Sequence, residues 1–239
     1  MKKNLFLVLV LSSTTFLYAQ ELTTRALVKA VEHTILSSEI AGKIVSIPKS
    51  NGQSFKKGET LVKIDCTIYK AQLEKVKTQV DIAKEKMLKN QQLSQYNSGS
   101  KFELQISELE YKKELAEYNI AKINTKRCYI KAPYSGKIVK KIASKYQNIQ
   151  PNQELLEILN TSNLELEVIV PSSWLTFLKK DQKFKLIIDE TQEKLEASIQ
   201  DLGALIDTSS QTISLRAKPI LPYDTLIPGM SATAEFKKP

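Results

Sequence analysis

The chain has 239 residues, with 35 Lys and Arg against 26 Asp and Glu, and a formal net charge of +9. This length suffices for one or two domains, each with its own core. The lysines are spread along the chain and are not interleaved with aromatic residues, which argues against nucleic-acid binding. The single histidine, His33, lacks neighbouring ligand-type residues, and the sequence contains no phosphate-binding loop or nucleophile motif. The sequence therefore predicts no catalytic residue, no metal site and no cofactor.

The N-terminus has the pattern of a secretory signal peptide. Two lysines precede an apolar run over residues 5–11, and the small residue Ala19 follows. We expect residues 1–19 to be removed by a cut before Gln20. An uncleaved membrane anchor is disfavoured, because Ser and Thr residues interrupt the run and a spanning helix needs about 20 apolar residues. No cysteine follows the cut, so a lipoprotein is not expected.

Two blocks, residues 41–65 and 135–159, repeat one pattern. Both have strand–turn–strand character, with apolar residues beside polar ones around a turn such as "NGQSFKKGE". We extend them to 40–65 and 129–159 and interpret them as two halves of one β-sandwich with quasi-twofold symmetry. The blocks match without a gap at Gly42/Gly136, Lys43/Lys137, Ile44/Ile138, Val45/Val139, Ser50/Ser144, Gln53/Gln147, Leu61/Leu155 and Ile64/Ile158.

Residues 66–128, between the blocks, are predicted to be helical. They contain no proline and are rich in Glu, Lys, Gln, Leu and Ala, which favour helices. A break at "NSGS", residues 97–100, predicts an antiparallel hairpin of two helices, and a pair of plain core helices is the alternative. The first helix has a heptad stripe of Tyr69, Leu73, Val76, Val80, Ala83 and Met87. In the second helix the stripe is assigned to Leu109, Ala116, Ile120 and Ile123, widened by Leu104, Tyr111, Leu115 and Tyr118.

Residues 160–239 return to strand patterns. Alternating segments such as "LELEVIV" and "KFKLIID" recur at spacings typical of short strands. A single helical turn is predicted after Pro171. The whole segment predicts a small β-barrel.

The order of these pieces resembles a known family, the HlyD-like membrane fusion proteins, which are periplasmic adaptors of bacterial tripartite efflux pumps. The resemblance rests on "AGKIVSIPKSNGQSFKKGETLVKID", "YIKAPYSGKIVKK", "VIVPSSW" and "LIDTSSQTISLRAKPILPYDTLIPGMSATAEF". It implies a mainly β fold with a long α-helical hairpin. A biotinyl-lipoyl-like barrel-sandwich hybrid, residues 40–65 and 129–159, would be split by a coiled-coil hairpin, residues 66–128, and followed by the β-barrel at 160–239. The membrane-proximal domain of longer members is expected to be missing or reduced to the N-terminal segment 20–39.

The resemblance also implies the function and the partners. It implies a protein that is not an enzyme, lies in the periplasm against the inner membrane, and supports export of drugs or other small molecules. The implied partners are an inner-membrane transporter, with the resistance–nodulation–division (RND) type favoured, a TolC-like outer-membrane channel, and further copies in a ring of six. An adaptor of an ATP-driven (ABC-type) exporter is the alternative, and a coiled-coil scaffold of the envelope is a more remote one. A lipoyl carrier is disfavoured, because the helical segment replaces the turn that holds the modified lysine.

The resemblance places the channel contact at the hairpin tip. Adaptors that meet a TolC-type channel carry Arg, Leu and Ser at a set spacing, which Lys89, Leu93 and Ser100 reproduce with Lys in place of Arg. Lysine lacks the planar fork of arginine, which weakens bidentate contacts. The alternative is that Lys89 is one of many solvated lysines and that Leu93 packs inside the hairpin.

Cys66 and Cys128 are the only two cysteines of the chain. They stand at the two ends of the helical segment, each 31 residues from the tip residue Asn97, so an antiparallel hairpin brings them together. An even count in an exported protein favours a disulfide. Two free cysteines, packed as small apolar residues, are the alternative.

Overall fold

The computed structural model describes residues 21–96, 98–220 and 225–237, and the predicted signal peptide lies outside these ranges. The described residues form two compact units. Residues 30–163 form the first, which we call the sheet-and-helix unit. Residues 21–29 and 164–237 form the second, the barrel unit.

Two long helices form the middle of the described sheet-and-helix unit: α1, Thr67–Gln95, and α2, Lys101–Arg127. They pack against each other, as the ion pair between Lys86 and Glu110 (Nζ–Oε2 2.7 Å) shows. On α1 the predicted stripe is the buried side: Val76 and Ala83 are buried, and the other four members are half-buried.

The stripe predicted for α2 is wrong for Leu109, Ala116, Ile120 and Ile123, and for Leu115. Three of the residues predicted to widen it, Leu104, Tyr111 and Tyr118, do lie on the inward side. Leu109, Ile120 and Ile123 are 53%, 54% and 49% exposed, so that side of the helix faces away from α1. The residues that α2 turns inward are half-buried or buried and recur at heptad spacing: Leu104, Ser107, Tyr111, Glu114, Tyr118, Ala121 and Thr125. Buried Ser107 is tolerated because its hydroxyl donates to the carbonyl of Leu104 at 2.8 Å.

The strands of the sheet-and-helix unit form a pair of four-stranded sheets among the described residues. The first has the order β2-β9-β7-β4 and the second β6-β5-β3-β8. Both contribute to one apolar core. The strands are β2 (His33–Ser37), β3 (Gly42–Ser46), β4 (Ser54–Phe55), β5 (Thr60–Ile64), β6 (Tyr129–Lys131), β7 (Gly136–Lys141), β8 (Asn148–Ile149) and β9 (Glu154–Leu159).

The sequence repeat has a direct structural meaning. Strands β3, β4 and β5 of the first copy correspond to β7, β8 and β9 of the second, and each copy's short strand pairs with the other copy: β4 with β7 and β8 with β3. Matched side chains make matched contacts. The Gln53 side-chain oxygen accepts from the Ser50 amide at 2.8 Å, and Gln147 accepts from Ser144 at 2.9 Å.

The matched glycines mark close approaches. A Cβ on Gly136 would lie 1.9 Å from the carbonyl oxygen of Leu159, and one on Gly42 would lie 2.6 Å from Cγ2 of Ile64. Only glycine fits these positions without moving the neighbouring strand or side chain. The copies therefore match where the two halves make equivalent contacts.

The barrel unit is a closed barrel in the order β1-β10-β13-β12-β11-β14. Its strands are β1 (Glu21–Ala30), β10 (Leu164–Pro171), β11 (Lys183–Ile188), β12 (Lys194–Asp207), β13 (Thr212–Pro219) and β14 (Ser231–Lys237). A 3-10 turn, Ser172–Thr176, follows Pro171 as predicted. The N-terminal segment is not a separate remnant: it supplies β1 to this barrel, where Glu21 pairs with Lys237, and β2 to the first sheet.

Aromatic residues fill one part of the barrel core. Phe236 is 1% exposed, its ring stacks on Phe184 with centroids 4.5 Å apart, and Trp174 meets it edge-on at 5.7 Å. Such contacts add to the stabilisation from apolar burial. Trp174, the only tryptophan of the chain, therefore reports on this unit.

Candidate functional site: the end and the base of the helix pair

The end of the helix pair is a tight turn between α1 and α2. After α1 ends, the Ser98 amide donates to the carbonyl of Leu93 at 2.9 Å. Gly99 packs on the same residue: a Cβ added there would lie 3.0 Å from Cβ of Leu93. The turn thus brings Leu93 and the start of α2 together.

Ser100 caps α2. Its Oγ accepts a hydrogen bond from the Phe102 amide at 3.2 Å, and Glu103 supplies a negative charge in the first turn. Both features stabilise a helix N-terminus. The structure gives Ser100 this role within the chain, in addition to the channel contact that the resemblance implies.

Lys89 and Leu93 lie one helical turn apart on α1. Lys89 is exposed, and Leu93 is 39% exposed, so Leu93 packs only partly inside the helix pair. Sequence reasoning missed two aromatic residues beside them: Tyr96 is 79% exposed and Phe102 is 69% exposed. Tyr96 and Phe102 stand on either side of "NSGS", and this position in the sequence could have identified them as tip residues. The tip thus exposes three large apolar side chains, and the exposed Lys89 lies one helical turn before Leu93.

A disulfide joins Cys66 and Cys128 at the base of the helix pair, with Cα atoms 5.6 Å apart. Cys66 lies between β5 and α1, and Cys128 between α2 and β6, so the bond closes the two ends of the helical segment on each other. The Ile64 amide donates to the carbonyl of Cys128 at 2.8 Å, which continues the strand pairing up to the bond.

Polar contacts add to this base. Asp65 accepts hydrogen bonds from the hydroxyl (2.7 Å) and the amide (3.0 Å) of Thr67, and these bonds hold the pKa of Asp65 below its usual value. The Tyr69 hydroxyl donates to the carbonyl of Ala41 at 2.8 Å. Helix α1 is therefore fixed to the sheets at its first turn, independently of the disulfide.

Within the described residues, no group of three or more His, Cys, Asp or Glu side chains is arranged to hold a metal ion. Among the helices of the described ranges, none combines the length and the apolar composition that crossing a membrane requires.

No family model matches the chain. Among curated proteins it is 26% identical over 199 residues to an uncharacterized protein of Haemophilus influenzae, covering 82% of this chain and 52% of that one. It is 24% identical over 211 residues to the cobalt-zinc-cadmium resistance protein CzcB of Cupriavidus metallidurans, covering 82% of this chain and 41% of CzcB. The chain thus spans about half, or less, of the length of these relatives.

Solved structures share the fold over most of the chain. A chimera of MacA and MexA, which contains the α-hairpin domain of Pseudomonas aeruginosa MexA, has a TM-score of 0.79 at 19% identity and covers 92% of this chain and 81% of its own. The membrane fusion protein Spr0693 of Streptococcus pneumoniae has a TM-score of 0.75 at 14% identity, with coverages of 91% and 100%. The resemblance to membrane fusion and periplasmic adaptor proteins, noted in the sequence, is confirmed.

Proposed function

We propose that this chain is a periplasmic adaptor that links an inner-membrane efflux transporter to a TolC-like outer-membrane channel. The observation that carries the proposal is the shared fold with membrane fusion proteins over about nine-tenths of the chain. The exposed apolar residues at the end of two long helices support it, because an adaptor needs a contact surface held away from its sheets.

Each part of the chain has a place in this proposal. Residues 40–65 and 129–159, which form the paired sheets together with β2, are assigned to the lipoyl-like barrel-sandwich hybrid. Helices α1 and α2 are the coiled-coil hairpin, and at about 1.5 Å per residue each reaches roughly 40 Å. The barrel unit follows, with β1 added to it. The work of such a protein lies in its interfaces, and no catalytic step is assigned to it.

The partners follow the resemblance. We propose a ring of six copies and a transporter of the RND type; the relation to a cobalt-zinc-cadmium resistance protein supports a role in efflux. Co-purification from cross-linked envelopes identifies the transporter. If an ATP-driven exporter is recovered, the proposed RND partner is wrong. If no transporter is recovered, the chain is an envelope scaffold.

Export is proposed to remove residues 1–19. Sequencing the N-terminus of the protein recovered from the periplasm tests this, and Gln20 is the expected first residue. A first residue at Met1 contradicts cleavage.

The tip is tested by Leu93→Asp. A charge at Leu93 places an unpaired carboxylate in an apolar contact with the channel, and we expect efflux to be lost while folding and export persist. The assay is growth of a strain that lacks the chain, on dyes, antibiotics and cobalt, zinc or cadmium salts, after complementation. Lys89→Glu tests the cation in the same way, and Lys89→Arg should retain function.

The matched control is Gln91→Asp, which introduces the same charge two residues away at an exposed polar position of α1. It should complement like the wild type. Full complementation by the Leu93 variant, with equal protein levels, overturns the assignment of the tip.

A further inference from the structure

The turn before β8 differs from its counterpart in the first copy of the repeat. It has the sequence "SKYQ" where the first copy has "SNGQ". The two turns keep the same backbone hydrogen bond: the Gly52 amide donates to the carbonyl of Ile138 at 2.8 Å, and the Tyr146 amide donates to that of Ile44 at 2.9 Å. The first copy therefore shows which residue this turn accepts without Tyr146.

Tyr146 adopts a backbone conformation that suits glycine. Its φ is 70°, close to the 79° of Gly52 at the equivalent position. A Cβ atom makes this left-handed conformation unfavourable, and a bulky residue is an outlier there. Tyr146 is also 62% exposed, so packing within the chain does not account for its side chain. Because such outliers are concentrated at functional sites, we looked for a ligand that the ring would contact.

Two lysines lie against the ring of Tyr146. Nζ of Lys145 is 4.5 Å from the ring centroid, and Nζ of Lys43, on β3, is 5.6 Å from it. Both distances are within the range of a cation–π contact. Lys43 and Lys145 are themselves exposed, so the site offers an aromatic ring and two cations to the solvent.

A second pair of this kind lies on the same face of the second sheet. Lys63 on β5 is opposite Tyr129 on β6, and its Nζ is 5.9 Å from the ring centroid. Ile44 and Ile64 are opposite each other and buried. Side chains alternate between the two faces of a strand, so Lys43 and Lys63, each next to one of these isoleucines, both point outward.

This outward face is strongly basic. Strands β3, β5, β6 and β8 contain no acidic residue. Asp65, directly after β5, is the nearest acid in the sequence, and its carboxylate already accepts two hydrogen bonds from Thr67. Four lysines against this one acid give a net charge of +3. We call this surface the lysine–tyrosine face; it consists of Lys43, Lys63, Tyr129, Lys131, Lys145 and Tyr146.

The chemistry of the lysine–tyrosine face fits an anionic glycan. Sugar rings pack their C–H groups on the electron-rich face of a tyrosine ring, and carboxylates accept charge-assisted hydrogen bonds from lysine. Tyr129 and Tyr146 stand at opposite edges of the sheet, about 14 Å apart for three strand spacings, so an extended chain of sugars can reach both. A lipid surface fits less well, because the four strands expose a single large aliphatic side chain, Val45.

We propose that the lysine–tyrosine face binds a carboxylate-bearing glycan of the cell wall. Sugar rings lie on Tyr129 and Tyr146, and carboxylates lie on the lysines between and beside them. The proposal goes beyond the adaptor role and rests on the proposed function only for the location of the chain, which export places beside the cell wall. Binding needs neither channel nor transporter, so it holds or fails separately from efflux.

Cosedimentation of the purified protein with insoluble peptidoglycan tests the proposal. Peptidoglycan supplies carboxylates on its sugars and peptides, and chitin supplies a related neutral glycan. The protein should sediment with peptidoglycan and stay in solution with chitin. Equal binding to both, or binding to neither, overturns the proposal. Displacement of the protein from peptidoglycan by oligothymidylate would instead assign the face to single-stranded nucleic acid and also overturns it.

Tyr146→Gly separates the ligand contact from folding. Because the first copy has Gly52 at this position, the variant keeps the turn, and its urea midpoint from circular dichroism at 222 nm should not fall. Its affinity for peptidoglycan should fall about tenfold, whereas Tyr146→Phe keeps the ring and should bind like the wild type. Wild-type affinity of Tyr146→Gly overturns the role of the ring.

A matched pair of double variants tests the charges. Lys43→Gln with Lys145→Gln should lower the affinity for peptidoglycan about tenfold or more. Lys77→Gln with Lys84→Gln removes the same charge from exposed positions of α1 and should bind like the wild type. Equal losses in the two double variants would mean that net charge alone retains the protein, and the assignment of the face would be wrong.

Discussion

Removing the disulfide at the base of the helix pair should destabilise one unit of the protein and not the other. The perturbation is Cys66→Ala together with Cys128→Ala. The bond closes a segment of 62 residues, and on the chain-entropy model a loop of this length contributes about 4 kcal/mol to the free energy of unfolding. Both cysteines belong to the core of the sheet-and-helix unit, so the loss falls there.

Two spectroscopic probes separate the units during urea unfolding. Circular dichroism at 222 nm follows α1 and α2, while fluorescence follows Trp174 in the barrel unit. For an m-value of about 2 kcal/mol/M, a loss of about 4 kcal/mol lowers the helix midpoint by about 2 M urea. The Trp174 midpoint should stay where it is in the wild type.

Single replacements sharpen the test. Cys66→Ala alone already removes the cross-link, so adding Cys128→Ala should cost little more, and the two changes should be strongly non-additive. Equal shifts of both spectroscopic midpoints, or additive effects of the two replacements, refute the reasoning. The disulfide itself is refuted if two thiols of the wild-type chain can be alkylated after denaturation without reductant.

Three further perturbations have defined outcomes. Ser100→Ala removes the cap of α2 and should cost about 1 kcal/mol in the helix transition, whereas Ser100→Asp should retain it. The hydrogen bond from Lys29 holds the pKa of Glu167 below its usual value. This stabilisation is present at neutral pH and lost as the pH falls through the lowered pKa, so Glu167→Gln should flatten the acid side of barrel stability followed by Trp174. Gly136→Ala forces a Cβ onto the carbonyl of Leu159 and should cost about 1–3 kcal/mol in the sheet-and-helix unit; unchanged urea midpoints would contradict the close approach.

Part of the repeat was predictable because some of its matched residues contact residues only a few positions away in the sequence. The side chain of Gln53 caps the turn at Ser50, and Gln147 does the same at Ser144. Local contacts of this kind leave a local signature. The repeated pattern does not reveal that β4 pairs with β7 and β8 with β3, because these pairings join residues far apart in the sequence.

The helices show where periodicity stops being sufficient. On α1 the apolar heptad and the buried heptad coincide. On α2 two heptads compete, and the more apolar one, with Leu109 and Ile120, lies outside, while the one containing Ser107 and Glu114 lies inside. A prediction from hydropathy alone selects the more apolar heptad, which lies outside. Packing of α2 on α1 instead accommodates small side chains such as Ala121 at the inward positions.

Strand β1 was missed for a different reason. Its partner β14 lies about 210 residues later in the chain, and no turn signal links strands so far apart. At the tip, the resemblance singled out Lys89, Leu93 and Ser100. Tyr96 and Phe102 were noticed only from their exposure in the structure, although both stand beside the predicted turn.

The pairing of β1 with β14 also sets an order of events during synthesis. Strand β1 is made about 200 residues before β14, so this pairing forms only after residues 30–163, which cluster into their own compact unit, have been made. Pairings of such long separation form slowly. Until β14 is made, the edge of β1 that faces away from β10 is unpaired and open to other chains, and a molecule stopped short of residue 231 keeps that open edge. We therefore expect the incomplete barrel, rather than the helix pair, to be the part of this protein that aggregates during synthesis.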